Sequence, residues 1–177
     1  ADSSSLEDSA DRTPVVAAGL VAGVRRITDR KGHPMGFVTV EDLHGTFEVV
    51  VFSSCFASAG ERLGKDNLVV VAGKVSLRNG GEAKIVADRV YTIDEALKHL
   101  SRTVQLTLRE NDFGHREFEG LREALARHSG EKRIVVRWKR APDEEIVMRA
   151  SKVGVSPDLD LLRELKTIAG VEHVEVS

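Results

Sequence analysis

The chain has 177 residues, of which 41% are hydrophobic and 31% charged, and its formal net charge is −2. That length holds one large domain or two small ones, and the apolar share excludes pervasive disorder. No run of about 18 apolar residues offers a membrane span. A near-neutral sum excludes a surface coated all over in nucleic acid, so a charged site has to be local.

The opening tract ADSSSLEDSADRTP starts at Ala1 without a methionine and has neither the basic start nor the apolar centre of a signal peptide. With Asp2, Glu7, Asp8 and Asp11 against Arg12, residues 1–14 read as an acidic flexible linker cut from something longer, in a cytoplasmic protein.

From Val15 the pattern turns to β. VVAAGLVAGVRRI (15–27) is β-branched and interrupted by Gly19 and Gly23, where a strand can coil or bulge. MGFVTVEDL and TFEVVVF make a hairpin around His44-Gly45. SSCFASAGERLGKD then predicts a short helix capped by Ser53 or Ser54. NLVVVAGKVSLR and EAKIVADRVYTI make a second hairpin around the turn NGG.

Strands in the order β, β, β, α, β, β predict the five-stranded OB-fold, a partly open barrel that binds oligonucleotides on strands two and three and with the loops after strands one and four. That frame explains an otherwise costly feature. Residues 28–34 carry Arg30 and Lys31, with Arg25 and Arg26 at their root, and like charges on a turn only repel one another unless something negative meets them.

The candidate nucleic-acid-binding residues are therefore Arg25, Arg26, Arg30, Lys31 and His33 on the first loop and its root, Arg78 on the fourth loop (Arg78 to Gly81), Lys84, and Phe37 as a base-stacking surface. Phe47 and Phe52 are further aromatic candidates. Five apart on a regular strand they face opposite ways, so at least one belongs to the core. Aromatics at 5% and ten Lys or Arg against eight acids between Val15 and Ile93 predict weak, salt-sensitive binding, micromolar or weaker.

TIDEALKHL predicts a connecting helix over 94–100, with Thr92 and Glu95 at capping-box spacing. Residues 101–177 predict a small α+β domain in the order β, α, β, β, α, β. TVQLTL is a strand. FEGLREALARHSG is a helix with Phe118, Leu121, Ala124 and Leu125 on one face and Gly130 as its stop. KRIVVRWKR and EEIVMRAS pair as a hairpin. The last helix takes Ser156 as cap, Pro157 in its first turn, a stripe of Leu161, Leu162, Leu165 and Ile168, and Gly170 as its end, before the strand VEHVEVS. Charges from Leu100 onward balance at fourteen of each sign, which points this half to a protein partner rather than to nucleic acid. Trp138 is its single aromatic anchor.

Signals for catalysis are poor. DFG at Asp112–Gly114 copies a kinase magnesium motif, but no glycine-rich loop and no HRD accompany it. The six histidines show no paired ligand spacing, and Cys55, the sole cysteine, cannot form an internal disulfide. Glu41 and Asp42, adjacent on a strand, face opposite ways and read as solubilising acids rather than a cooperating pair. No catalytic residue, metal or cofactor is expected.

With these residues in view, the chain resembles the C-terminal region of bacterial replicative DNA polymerase III alpha subunits. AGLVAGVRRITDRKGHPMGFVTVEDLHGTFEVVVF, LVVVAGKVS and YTIDEA are similar to that family's OB domain, and VSPDLDLLRELKTIAGVEHVEV is similar to its terminal domain. The resemblance implies an OB domain (15–93) that binds single-stranded template DNA, with Arg30, Lys31 and Gly32 on the family's basic first loop. It also implies a terminal domain (101–177) that docks the tau subunit of the clamp loader, with the rest of the polymerase chain as a further partner. The parent enzyme's catalytic carboxylates lie in upstream regions, so this chain is expected to be non-catalytic. Two alternatives stand beside this reading: a protein-docking module without DNA binding, and a transfer-RNA anticodon-binding OB module.

Overall fold

The computed structural model describes residues 1–77, 82–141 and 144–177. They divide into two compact units, Ala1–Ile93 and Asp94–Ser177. The fold is mainly β with α+β character: a closed five-stranded barrel, and a four-stranded sheet with helices.

In the first unit, β1 (Pro14–Thr28), β2 (Pro34–Glu41), β3 (Thr46–Val51), β4 (Leu68–Ser76) and β5 (Lys84–Tyr91) close in the order β1-β2-β3-β5-β4, the arrangement of an OB-fold. Closure depends on β1 serving two neighbours. Its first half pairs with β4 and its second half with β2, and Leu20 pairs with both. The sequence permits this bend at its glycines. The β1–β2 register shifts between Val21 and Gly23, and the backbone carbonyl of Glu41 stands where a Cβ on Gly19 would go.

Strand alternation sends Val38, Val40, Val49, Val51, Val69, Val71 and Ile85 inward, each at most 1% exposed. The helix α2 (Ser53–Ala59) follows β3 and adds Cys55 and Ala59 to this core. Its N-cap is Phe52, without a side-chain bond, where the sequence pointed to Ser53 or Ser54. Burial pushes the Cys55 thiol up, so it behaves as a small hydrophobe.

The expected flexible linker is instead part of the barrel. Residues 3–7 form α1 (Ser3–Glu7), with Asp2 as N-cap accepting from Ser5 N at 2.9 Å. Leu6, 1% exposed, joins the barrel core. Asp42 fixes the helix from the β2–β3 turn. It accepts from Ser3 N (2.6 Å) and Ser3 Oγ (2.7 Å), and also from His44 N and Gly45 N of its own turn. Burial alone would raise the pKa of that carboxyl; the Ser3 hydroxyl and the three N–H donors outweigh it and hold it well below the usual range. Asp42 is thus the turn's organiser rather than a solubilising edge acid.

The second unit begins with α3 (Ile93–Leu100), whose first residue lies just before the division. Its sheet runs β8-β7-β6-β9, built from β6 (Thr103–Arg109), β7 (Ser129–Ala141), β8 (Glu144–Val155) and β9 (Val171–Val176). β6 and β7 are parallel around the crossover helix α4 (His115–Arg127). α5 (Leu159–Thr167) connects β8 to β9, and Leu121, Ala124, Leu161 and Leu165 of the two helices bury against Val104, Leu106 and Ile134.

Three expectations are corrected here. Phe118 is 55% exposed, because the buried stripe of α4 runs through Leu121 and Ala124 instead. The cap of α5 is Asp158, which accepts from Leu161 N at 2.9 Å, and not Ser156. Gly130 lies inside β7, two residues beyond the helix's last cap, where a Cβ would meet Ser156 N at 2.6 Å.

Candidate nucleic-acid interface

Because the barrel interior takes every second side chain, the alternate positions form an outer surface whose layout follows from the register. Arg25 pairs with Phe37, Phe37 with Val50, Val50 with Val86, and Val86 with Lys74. This is one continuous row across β1, β2, β3, β5 and β4, cationic at both ends and apolar between them. Val50 is only 9% exposed, so Phe37 and Val86 present the row's apolar surface. Single-stranded nucleic acid offers the matching chemistry: phosphates for the cations and base faces for that surface.

Phe37 is the centre of the row's chemistry. The Arg25 guanidinium lies 4.6 Å from the ring centroid and Lys84 Nζ 5.9 Å from it. Lys84 also meets Glu48 Oε1 at 2.5 Å, so part of its charge is already answered. Val50, Val86 and Lys74 of the row, with Phe52 and Lys84, line a shared concavity of about 670 Å³ whose rim also carries Asp11 and Asp88. Phe52 is 48% exposed, whereas Phe47 is 5% exposed and belongs to the core, which settles how those two rings divide.

The first loop is organised by Asp29. Its Oδ1 accepts from Lys31 N and His33 N, both at 2.8 Å, and Asp29 N donates to His33 O at 2.8 Å. Gly32 takes a positive φ of 84°, which the turn requires. The backbone N–H of His33, followed by that of Lys31 and the His33 ring, holds the Asp29 carboxyl below its ordinary range. The His33 ring faces Asp29 at 3.3 Å and is a loop brace. Arg30 and Lys31 are exposed and make no ion pair among the described residues.

The predicted residues therefore do not form one cluster. Arg25, Phe37 and Lys84 come together. Arg30 and Lys31 extend from the neighbouring loop. Arg26 is turned the other way, 5.9 Å over the Phe56 ring of α2, because adjacent strand residues face opposite sides. Arg78 and the expected fourth loop lie outside the described residues. Lys74 was missed as a candidate, because it joins the row only through barrel closure. Phe52, one of the aromatic candidates, lies just past the end of β3 and is the exposed one of its pair. Trp138, half-buried, packs edge-on against Phe113 with centroids 5.6 Å apart, so much of its ring is committed to the second unit's core.

Residues 15–93 match the family model described as an OB-fold nucleic acid binding domain. Along nearly its whole length the chain is similar to DNA polymerase III alpha subunits. That of Escherichia coli strain K12 is 30% identical and that of Pseudomonas aeruginosa 31% identical, each over 92% of this chain. The chain spans only 14% of the length of either relative. Among solved structures, a mitochondrial single-stranded DNA binding protein from S. cerevisiae aligns with 48% of this chain and 96% of its own, at 13% identity and a TM-score of 0.39.

Proposed function

We propose that this chain is a non-catalytic part of a replicative DNA polymerase III alpha subunit, corresponding to its C-terminal region. Its barrel holds single-stranded template DNA, and its second unit joins the tau subunit of the clamp loader. The observation that carries the first half is the row from Arg25 to Lys74 with Phe37 stacked under Arg25, beside a loop whose Arg30 and Lys31 have no ion pair among the described residues. The 92% coverage by polymerase alpha relatives supports the context, and the balanced charge of the second half supports a protein partner there.

Arg25, Arg30, Lys31 and Lys74 track phosphates while Phe37 stacks a base. Phosphate contacts of this kind release counterions and carry little sequence preference. Binding is weak alone and gains from tethering to the rest of the polymerase chain.

The test is fluorescence anisotropy of a labelled oligothymidylate across a series of salt concentrations, with wild type beside Arg30→Glu/Lys31→Glu. About four phosphate contacts give a slope of log affinity on log salt near about −2.8, and the double variant binds more weakly with a shallower slope. An RNA strand of the same length that binds much more tightly would favour the transfer-RNA reading. No binding by either protein would leave the barrel a protein-docking spacer.

A further inference from the structure

From Leu100 onward the charges balance at fourteen of each sign, but they are not evenly answered. On β7, Ile134 is 1% exposed and faces the helices, so Arg133, Val135 and Arg137 face the open side of the sheet. The carboxylates of that side are occupied: Glu145 by Arg137 at 2.6 Å, Glu172 by Arg109 and Lys139, and Glu175 by Gln105. Arg133 and Arg149 are left without an ion pair among the described residues.

These two guanidiniums border a built feature. β7 and β8 are in register at Arg133↔Gly154 and again at Val135↔Arg149, so residues 150–153 of β8 bulge opposite the single residue Ile134. The bulge opens a concavity of about 490 Å³ lined by Arg133, Arg149, Thr103, Val135 and Ser151. Two residues along β7, the buried Nε of Arg137 has no hydrogen-bond partner. Bulges of this kind re-aim side chains and end pairing at sheet edges.

We infer that this bulged edge is a docking site for an extended acidic segment of a partner protein. Its carboxylates meet Arg133 and Arg149, and its backbone runs along β8. Arginine binds carboxylates through paired N–H donors, which suits an unanswered pair at a concave edge. β8 is the outer strand of the sheet, and an edge strand offers main-chain partners to a peptide. No aromatic side chain lines the concavity, so it offers a nucleic acid nothing on which to stack a base. The inference rests on the reading of the second unit as a protein-docking module, gives it a surface, and is independent of the barrel.

The probe is a fluorescein-labelled peptide of alternating glutamate and valine, titrated by anisotropy into the whole chain at low salt. Backbone amide shifts locate its site. Arg133→Glu/Arg149→Glu is compared with Arg116→Glu/Lys166→Glu, which changes net charge equally on exposed positions of α4 and α5. The expected result is binding that weakens at least about tenfold in the first variant only, with shifts confined to 133–137 and 144–155. Circular dichroism of both variants confirms the fold.

Absence of peptide binding, or equal loss in the two variants, would overturn the inference. So would an oligothymidylate affinity that depends on Arg133 and Arg149, or a dimer in sedimentation that dissociates in the first variant. A parallel titration with the cognate tau subunit separates the levels. Tau binding that ignores both variants defeats this surface alone, whereas no tau binding defeats the docking reading itself.

Discussion

The Arg25 guanidinium stands 4.6 Å above the centroid of Phe37, its direct cross-strand partner on the outer face of the barrel. Stacking on the ring orders the arginine; the ring is half-buried and also has Lys84 Nζ 5.9 Å from its centroid. In the proposed reading the pair combines a phosphate contact and a stacking surface in one position, which a cation on a loop cannot do.

Replacing Phe37 with Ala should therefore separate two contributions. Loss of one stacked base costs about 1–3 kcal/mol of binding. No charge is removed, so the slope of log affinity on log salt should stay the same. Anisotropy titrations at three or more salt concentrations check this; a changed slope with unchanged affinity would mean that Phe37 only supports Arg25.

The row also makes a prediction about which cations matter. Lys74→Glu should weaken single-strand binding and make the salt slope shallower by about 0.7, as expected for one lost phosphate contact. Arg26→Glu, though closer in sequence to the loop, should change binding little at physiological salt, because its guanidinium lies over Phe56 on the α2 side. Equal losses from both variants would show that the whole barrel field, rather than the row, attracts the strand.

How far the site was legible in the sequence depends on the distance over which its parts are assembled. The β-branched runs, the hairpin turns and the basic loop are local signals, and they placed all five barrel strands. Alternation also separates Arg25 from Arg26, a consequence of strand geometry that grouping them as one basic cluster overlooked. Lys74 could not be found locally, since it sits beside Val86 only when β4 and β5 pair in the closed barrel. Leu6 was hidden for a different reason: one apolar residue in a polar tract has no periodicity, and its burial depends on a tertiary contact between Ser3 and Asp42. The cap of α5 was misjudged between Ser156 and Asp158 because both are capping residues and only the helix start decides.

Asp42 gives the barrel an acid-sensitive fastening. Its native pKa lies well below the ordinary carboxylate value of 3.8, so near that pH the unfolded chain binds more protons than the folded one. Stability from this group is therefore fully present above about pH 5 and is lost as pH falls through 4 toward the native value. Asp2, lowered to about 2 chiefly by the Ser5 N–H, acts in the same direction. Asp42→Asn should lower the urea midpoint at pH 7 and reduce the drop between pH 7 and pH 3. A variant with the wild-type acid profile would place the acid sensitivity elsewhere.

The N-terminal segment tests whether α1 belongs to the barrel. Leu6 is 1% exposed among Val, Ile and Phe side chains of the first unit, so Leu6→Ala removes buried methyl groups and leaves a cavity. Such truncations cost about 2–4 kcal/mol, a large share of the stability of a domain this size. Urea denaturation followed by circular dichroism should show the barrel's midpoint fall by that amount with little change in slope. Ser3→Ala should cost less, since it removes the hydroxyl bond to Asp42 but keeps the backbone one. If residues 1–13 can be deleted without moving the midpoint, α1 is an appendage, and Asp42 holds its turn without it.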